Sequence, residues 1–200
     1  IPCKRLREGK SRLAALLSAD ERFELCDGLL IRTLALATEV ARRDRIWLAT
    51  ADALAAERAA ARGISVIADE ANDLNGALDS ARRYIAGRGG IPEALLVLPI
   101  DLVLANAAVV NSATADNYEV VLATDTKRLG TNLLLLRGRA VAAFPFCFGA
   151  NSLLRHRNAA RRAGHSLNII DNPALAFDLD EQDDYLRAIH MARLPVREKA

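Results

Sequence analysis

Short apolar runs alternate along the chain with longer amphipathic segments. Residues 45–50, 64–68, 94–100, 119–123, 133–137 and 168–171 have the length and composition of strands, and another apolar run, 141–148, stops at Gly149. Residues 18–43, 51–62, 74–85 and 181–192 have helical spacing, Asn72 and Asp73 open the third of these helices, and Ser18 and Glu21 form the pattern of a capping box. The alternation predicts an α/β fold, with a mostly parallel sheet flanked by helices, in a single domain over residues 1–200.

Composition narrows the class of protein. Hydrophobic residues make up 52% of the chain and charged residues 26%, which is ordinary for a globular protein. A net charge of +2 is too balanced to indicate a nucleic-acid partner, and no apolar run has the length of a membrane span. Cys3, Cys26 and Cys147 lie far apart without the spacing of metal ligands, so we expect reduced thiols and a cytoplasmic protein.

Aspartates follow two of the predicted segments. In a parallel sheet flanked by helices, ligands bind beyond the carboxyl ends of the strands. Asp101 directly follows the apolar run 94–100, and alternation in residues 177–180 places Asp178 and Asp180 on one side of the chain. Two such carboxylates can hold Mg²⁺ on a triphosphate. The plainer alternatives are a turn or cap for Asp101, and an N-cap of the closing helix for Asp180.

A basic segment follows the start of the chain. Lys4, Lys10 and Arg12 surround Gly9, and a flexible basic loop of this kind can wrap nucleotide phosphates. The glycine spacing and the ending of a Walker A loop are absent. A solvated basic loop is the alternative interpretation.

Two glycine segments are candidates for binding a small anion. Gly130 and Thr131 precede an apolar strand, where the glycine allows close approach and Thr131 adds a hydroxyl donor. Gly149 precedes Asn151 and Ser152, either of which can cap a basic helix, and a helix N-terminus suits a phosphate or carboxylate. A plain turn and an ordinary capped helix remain open as alternatives.

Taken in order, these motifs resemble the guanylyltransferases that activate 2-phospho-L-lactate or phosphoenolpyruvate in the biosynthesis of coenzyme F-420. The resemblance covers nearly the whole chain and is carried by segments at residues 1–6, 10–13, 74–77, 98–102, 130–132, 148–156 and 178–180. It implies a compact nucleotidyltransferase fold of the sugar-nucleotide (GT-A-like) type. One departure is Val103, where the family usually has proline, which implies a looser turn after Asp101.

The resemblance also implies residue roles. Asp101 and Asp178 match the metal-binding aspartates, and together with Lys10 we assign them to catalysis, because metal and cation offset developing phosphate charge. The positions matching the acid-binding site are Thr131, Gly149 and Ser152. The positions matching segments near the nucleotide are Lys4, Lys10, Arg12, Leu74 and Asn75.

The implied reaction transfers GMP from GTP to a phosphorylated three-carbon acid and releases pyrophosphate, with Mg²⁺ as cofactor. The acid stays open among 2-phospho-L-lactate, phosphoenolpyruvate and 3-phosphoglycerate. A molybdopterin or sugar nucleotidyltransferase is the alternative enzyme, but its glycine-rich first loop is absent. A non-catalytic nucleotide-binding module would be expected to lose a metal aspartate, and this chain keeps both. A homodimer is compatible with the sequence, which does not fix the oligomeric state.

Overall fold

The strands form two sheets in the computed structural model, which describes residues 1–71 and 73–191. The first sheet is parallel throughout and has the order β1 (Pro2–Cys3), β2 (Trp47–Thr50), β3 (Ser65–Ala68). The second has the order β4 (Ala94–Val97), β6 (Thr131–Arg137), β5 (Val120–Thr124), β7 (Leu167–Ile170). In it β5 and β7 are parallel, whereas β6 is antiparallel to both of its neighbours.

Helices connect all of the strands except β5 and β6, which are joined by a turn, and they cover the sheets. They are α1 (Ala19–Val40), α2 (Ala53–Ala60), α3 (Leu74–Gly89), α4 (Ala107–Ala113), α5 (Arg139–Ala143), α6 (Ser152–Arg162), α7 (Pro173–Ala176) and α8 (Gln182–His190). The predicted capping box is confirmed: Ser18 Oγ accepts from the Glu21 amide at 3.3 Å, and the Glu21 carboxylate accepts from the Ser18 amide at 2.7 Å. Among the described residues, no helix is long and apolar enough to cross a membrane.

Alternate residues of β6 pack into two different hydrophobic clusters, one on each face of the second sheet. Leu134 and Leu136 pack with apolar residues of α3, α5 and α6 on one face, and Leu133 packs with residues of α1, α4 and α7 on the other. Helices therefore cover both faces of this sheet, and the predicted α/β layering is confirmed. The strand after residue 93 is shorter than predicted, ending at Val97, and the fully buried strand is β5 rather than β4.

The predicted strand at 141–148 is wrong. Gly138 turns the chain at a φ of +53°, α5 follows, and residues 144–148 then run without regular structure. Pro145 has no N–H to give to a neighbouring strand. The Cys147 and Phe148 amides instead donate to the side chains of His156 and Asn75. The predicted helix start at Leu74 is confirmed, with Asp73 as its N-cap. Asn72 and the last residue of the segment 181–192 lie outside the described residues.

One apolar cluster joins segments that are far apart in sequence. Leu13, Val103 and Leu179 are 0%, 1% and 0% exposed and belong to the same buried cluster. Its other buried members are Leu17, Leu29, Phe177 and Ala188. Leu13, Val103 and Leu179 each lie within two residues of a charged residue that the sequence predicts for the functional site. Packing of this cluster therefore brings those charged residues together.

We expect Leu179→Ala to lower the free energy of unfolding by about 2–5 kcal/mol, because it leaves a cavity at a fully buried position. Leu186, 53% exposed, offers a matched control, and Leu186→Ala should change that energy by less than about 0.5 kcal/mol. Urea unfolding followed by circular dichroism measures both. Equal losses would show that the 179 position does not organise this core.

Candidate active site

The side chain of Lys10 lies buried between two carboxylates. Its ammonium donates to Asp101 Oδ2 at 3.1 Å and to Asp180 Oδ1 at 3.4 Å, and the side chain is only 8% exposed. Burial would lower the pKa of the ammonium, but Asp101 and Asp180 outweigh that effect and raise the pKa above its ordinary value. Lys10 is therefore a permanent cation at neutral pH.

The basic segment that carries Lys10 is folded rather than the flexible loop that its composition predicts. Two 3₁₀ turns, Leu6–Glu8 and Ser11–Leu13, flank Lys10, whose own φ is +51°. Gly9 packs so closely on α1 that a Cβ there would lie 2.5 Å from Cys26 Sγ. The two turns, each anchored by one buried leucine (Leu6 and Leu13), hold the Lys10 backbone in the uncommon left-handed region and aim its side chain at the carboxylates.

Asp101 is held by its backbone. Its carbonyl accepts from the Val103 amide at 2.9 Å and from the Leu179 amide at 3.0 Å. The second bond brings residues 178–180 beside Asp101. Val103, where the family usually has proline, supplies an N–H that proline lacks and is itself buried, so the expected loosening of this turn is wrong.

Asp178 lies beside Asp101 in a partly buried position. Burial raises its pKa, and the charge of Asp101 raises it further, whereas a hydrogen bond from Asn132 opposes the shift. Asn132 Nδ2 lies 3.3 Å from Asp178 Oδ1 and also donates to the Leu175 and Ala176 carbonyls, both at 3.1 Å. Sequence reasoning assigned no role to this buried residue, although an asparagine directly before the leucine run 133–136 was a usable signal.

Asp180 has a different role from the predicted helix cap. Its carboxylate accepts from Lys10 and, at 2.5 Å, from Arg12 Nη1. The cap of α8 is Glu181, which forms a reciprocal capping box with Asp184. As predicted from alternation, Phe177 and Leu179 face the core while Asp178 and Asp180 face outward. Asp180 thus belongs with the candidate site residues.

A cavity of about 390 Å³ lies beside this ion cluster. Four of the five residues predicted to lie near the nucleotide line this cavity, namely Lys4, Lys10, Arg12 and Leu74. Asp101 and Asp180 line it as well. The fifth, Asn75, contacts the edge of the cavity indirectly, because its side-chain amide pairs with the Phe148 backbone and Phe148 lines the wall. An apolar cavity of about 370 Å³ between the sheets has no carboxylate in its described lining.

Asp178 lines an adjoining cleft of about 590 Å³. Arg12 and Asp180 line both spaces, so the two openings share a boundary formed by this ion pair. The cleft also contains Asp125 and Lys127 from the turn between β5 and β6. A ligand that spans the boundary can reach cations on one side and carboxylates on the other.

The residues predicted to bind the acid form a second cluster. Ser152 Oγ accepts from the Thr131 amide at 2.8 Å, and Thr131 Oγ1 lies 3.0 Å from His156 Nδ1. Gly149 has a φ of +108°, and a Cβ there would lie 3.2 Å from Arg155 Nη2. Two members of this neighbourhood lie in the segment that carries the resemblance but were not assigned to the acid site from the sequence: His156, the partner of Thr131, and Arg155, which donates to the Phe148 carbonyl at 2.8 Å.

The start of α6 is less open than predicted. The Ser152 amide donates to the Gly149 carbonyl and the Leu153 amide to the Leu129 carbonyl, so neither is free for a ligand. Asn151 is the N-cap residue, but its φ is +55° and its side chain caps nothing. Within the described residues, the amides of Gly149, Ala150 and Asn151 donate no backbone hydrogen bond, which leaves the turn before the helix as the open donor surface.

Asp101 and Asp180 share the ammonium of Lys10, and Asp178 lies close enough for the charge of Asp101 to act on it. Carboxylate oxygens are the ligands that Mg²⁺ prefers. Among the described residues, no group of three or more His, Cys, Asp or Glu is arranged to hold a metal ion by itself. Mg²⁺ commonly takes one or two carboxylates and completes its shell with water and phosphate oxygens. Asp101 and Asp178 fit such an open site. Burial, and then the charge of Asp101, disfavour the ionised form of Asp178 and raise its pKa, and a divalent cation would favour that ionised form.

The family model described as "Guanylyl transferase CofC like" matches residues 1–192. The chain belongs to this family. It is 36% identical over 189 residues to a phosphoenolpyruvate guanylyltransferase of Chloroflexus aggregans, an alignment that covers 92% of each chain. It is 33% identical over 190 residues to a 2-phospho-L-lactate guanylyltransferase of Methanothermobacter thermautotrophicus, covering 92% of this chain and 80% of the relative. The predicted resemblance is confirmed, and the chain is a nucleotidyltransferase.

Other relatives widen the range of acids and support the fold. A 3-phospho-D-glycerate guanylyltransferase of Phenylobacterium zucineum is 36% identical over 193 residues, covering 93% of this chain and 85% of the relative. The crystal structure of a putative nucleotide-diphospho-sugar transferase from Desulfovibrio desulfuricans superposes with a TM-score of 0.69 at 17% identity, covering 96% of this chain and 84% of that one. The sugar-nucleotide transferase fold is thereby confirmed.

We expect Asp180→Asn to lower kcat/KM of guanylyl transfer by roughly 10-fold or more, because Lys10 and Arg12 lose a charged partner at the boundary of the two spaces. Asp184→Asn is the matched control: it weakens the capping box of α8 and should cost about 1 kcal/mol of stability with little loss of activity. Steady-state kinetics and urea unfolding separate the two effects. The reverse pattern would return Asp180 to a capping role.

Proposed function

We propose that this protein transfers GMP from GTP to a phosphorylated three-carbon acid and releases pyrophosphate, in coenzyme F-420 biosynthesis. The family and the names of its relatives support the reaction class, and the geometry supports the assignment of substrates to sites. The relatives act on phosphoenolpyruvate, 2-phospho-L-lactate or 3-phospho-D-glycerate, so the acceptor is proposed as a class.

The observation that carries the proposal is that the nucleotide cavity and the acid cluster are joined at two points. Phe148 lines the cavity and is followed directly by Gly149 of the acid cluster. Asn132, which directly follows Thr131, donates to Asp178. An acid held at Thr131 and Gly149 is therefore adjacent to both the cationic cavity and the carboxylates, which bimolecular transfer between two phosphates requires.

The chain's own residues supply orientation and charge. In the proposed reaction, an oxygen of the acid's phosphate forms a bond to the α-phosphorus of GTP, and the bond to the β-phosphate bridging oxygen breaks. That acceptor oxygen is already ionised near neutral pH, so no general base is needed. Lys10 and Arg12 are placed to offset charge on the triphosphate, and Lys4 lies on the exposed wall of the same cavity.

Asp101 and Asp178 are the residues that we propose hold Mg²⁺, with Asp180 close enough to adjust the site through Lys10. The bound ion would polarise the α-phosphate and offset the charge of the leaving pyrophosphate. We also propose a preference for guanine over adenine and a cytoplasmic location. The three free cysteines support the latter, and burial raises the pKa of Cys3 to about 12, which keeps that thiol unreactive.

Incubation of the protein with GTP, Mg²⁺ and each of the three acids in turn should release pyrophosphate with at least one acid and form the guanylylated product, measured by a coupled assay and mass spectrometry. Chelation of the metal should abolish release, and ATP should be a poor substitute, because a guanine site leaves polar groups unpaired with adenine. Asp101→Asn should be inactive yet folded. Pyrophosphate release that needs no acid, or equal use of ATP, would contradict the proposal.

A further inference from the structure

His156 connects the two halves of the acid cluster. It is 0% exposed, and its ring lies between Thr131 of β6 and the irregular segment before Gly149. Nδ1 lies 3.0 Å from Thr131 Oγ1, and Nε2 lies 2.9 Å from the Cys147 amide nitrogen. One imidazole therefore holds a side chain from the sheet and a backbone from the loop.

These two contacts assign the proton on the ring. A backbone amide can only donate, so Nε2 accepts and is unprotonated. In a neutral imidazole the proton is then on Nδ1, which donates to Thr131 Oγ1. Burial, followed by the nearby Arg155 charge, lowers the pKa of His156 to about 4, which agrees with a neutral ring at pH 7.

Two aromatic rings prevent the imidazole from turning. Phe144 stacks on it with centroids 5.9 Å apart and an interplanar angle of 26°. Phe148 meets it edge-on with centroids 5.1 Å apart and an angle of 76°. The ring is thus a fixed donor toward Thr131.

The consequence is an orientation of two hydroxyl groups. Thr131 Oγ1 already accepts from His156, so its own hydrogen is directed to a different acceptor. Ser152 Oγ already accepts from the Thr131 amide, so its hydrogen is free in the same way. Two hydroxyls that must donate, beside a glycine turn with open amides, match a phosphorylated anion, which only accepts.

We propose that His156 is a positioning residue for the acceptor acid: its neutral Nδ1–H form fixes the Thr131 hydroxyl as a donor to that acid, while Nε2 anchors the loop before Gly149. This inference rests on the proposed function, since it assumes that the Thr131 cluster binds the acid. His156 itself touches no substrate and takes no proton during transfer.

Two amide substitutions separate the two contacts. Glutamine reaches the Nε2 position, so His156→Gln keeps an acceptor for Cys147 but loses the Thr131 contact; asparagine reaches the Nδ1 position, so His156→Asn does the reverse. We expect His156→Gln to raise KM for the acid by about 10-fold, with KM for GTP within about 3-fold of the parent. His156→Asn should retain more acid affinity than His156→Gln.

His165 provides a matched control, because it is a nearby histidine that contacts Glu119 instead of the acid cluster. His165→Gln should alter neither KM. A purely structural role for His156 would be shown if both amide variants lost stability and changed the two KM values equally. That result would overturn the proposal.

Nitrogen-15 NMR of the His156 imidazole tests the assignment of the proton without any turnover. The measurement on the parent protein stays decisive even if a His156 variant fails to fold. In the parent at pH 7, Nδ1 should carry the proton and Nε2 should not, and Thr131→Val should shift the Nδ1 resonance much more than Nε2. A protonated Nε2, or an unchanged Nδ1 in Thr131→Val, would overturn the proposal. Failure of every acid in the turnover assay would instead refute the proposed function, and the NMR result would still decide the tautomer.

Discussion

The burial of one ammonium group is the constraint on which the site depends. Lys10 is separated from Asp101 by 91 residues and from Asp180 by 170, yet its nitrogen reaches both carboxylates. A buried cation without partners costs several kcal/mol, so the fold must bring these segments together or expose the lysine. The buried cluster of Leu13, Val103 and Leu179 brings these segments together beneath the charged groups. The hydrogen bond from the Leu179 amide to the Asp101 carbonyl fixes how residues 178–180 align with Asp101.

The charges left over explain what the site can bind. Lys10 and Arg12 pair with Asp101 and Asp180, whereas no cation pairs with Asp178 among the described contacts. Burial, and then the charges of Asp101 and Asp180, raise the pKa of Asp178. Such an arrangement leaves both carboxylate oxygens and cationic groups able to bind a ligand. It can take a divalent cation on the carboxylate side and phosphate oxygens on the lysine and arginine side, and a nucleoside triphosphate with its metal supplies both at once.

Much of the fold and part of the site could be predicted from periodicity. The capping box before α1 and the outward direction of Asp178 and Asp180 follow from local spacing, which a short window of sequence contains. The errors share another cause: interactions between distant residues. Residues 147 and 148 do not pair as a strand because His156 and Asn75 bind their amides, and Asp180 is not a cap because Lys10 and Arg12 bind its carboxylate. None of these four partners can be identified from the residues next to the segments that they bind. The assignment of the chain to a single domain remains a prediction.

The most direct test is a crystal structure of the protein with Mg²⁺, the acceptor acid and the GTP analogue with a methylene group between the α- and β-phosphates, which cannot release pyrophosphate. We expect metal on Asp101 and Asp178, triphosphate beside Lys10 and Arg12, and the acid on Thr131, Gly149 and Ser152 with its phosphate facing the α-phosphorus. An acid bound in the Lys10 cavity, with the nucleotide on the Thr131 cluster, would contradict this expectation.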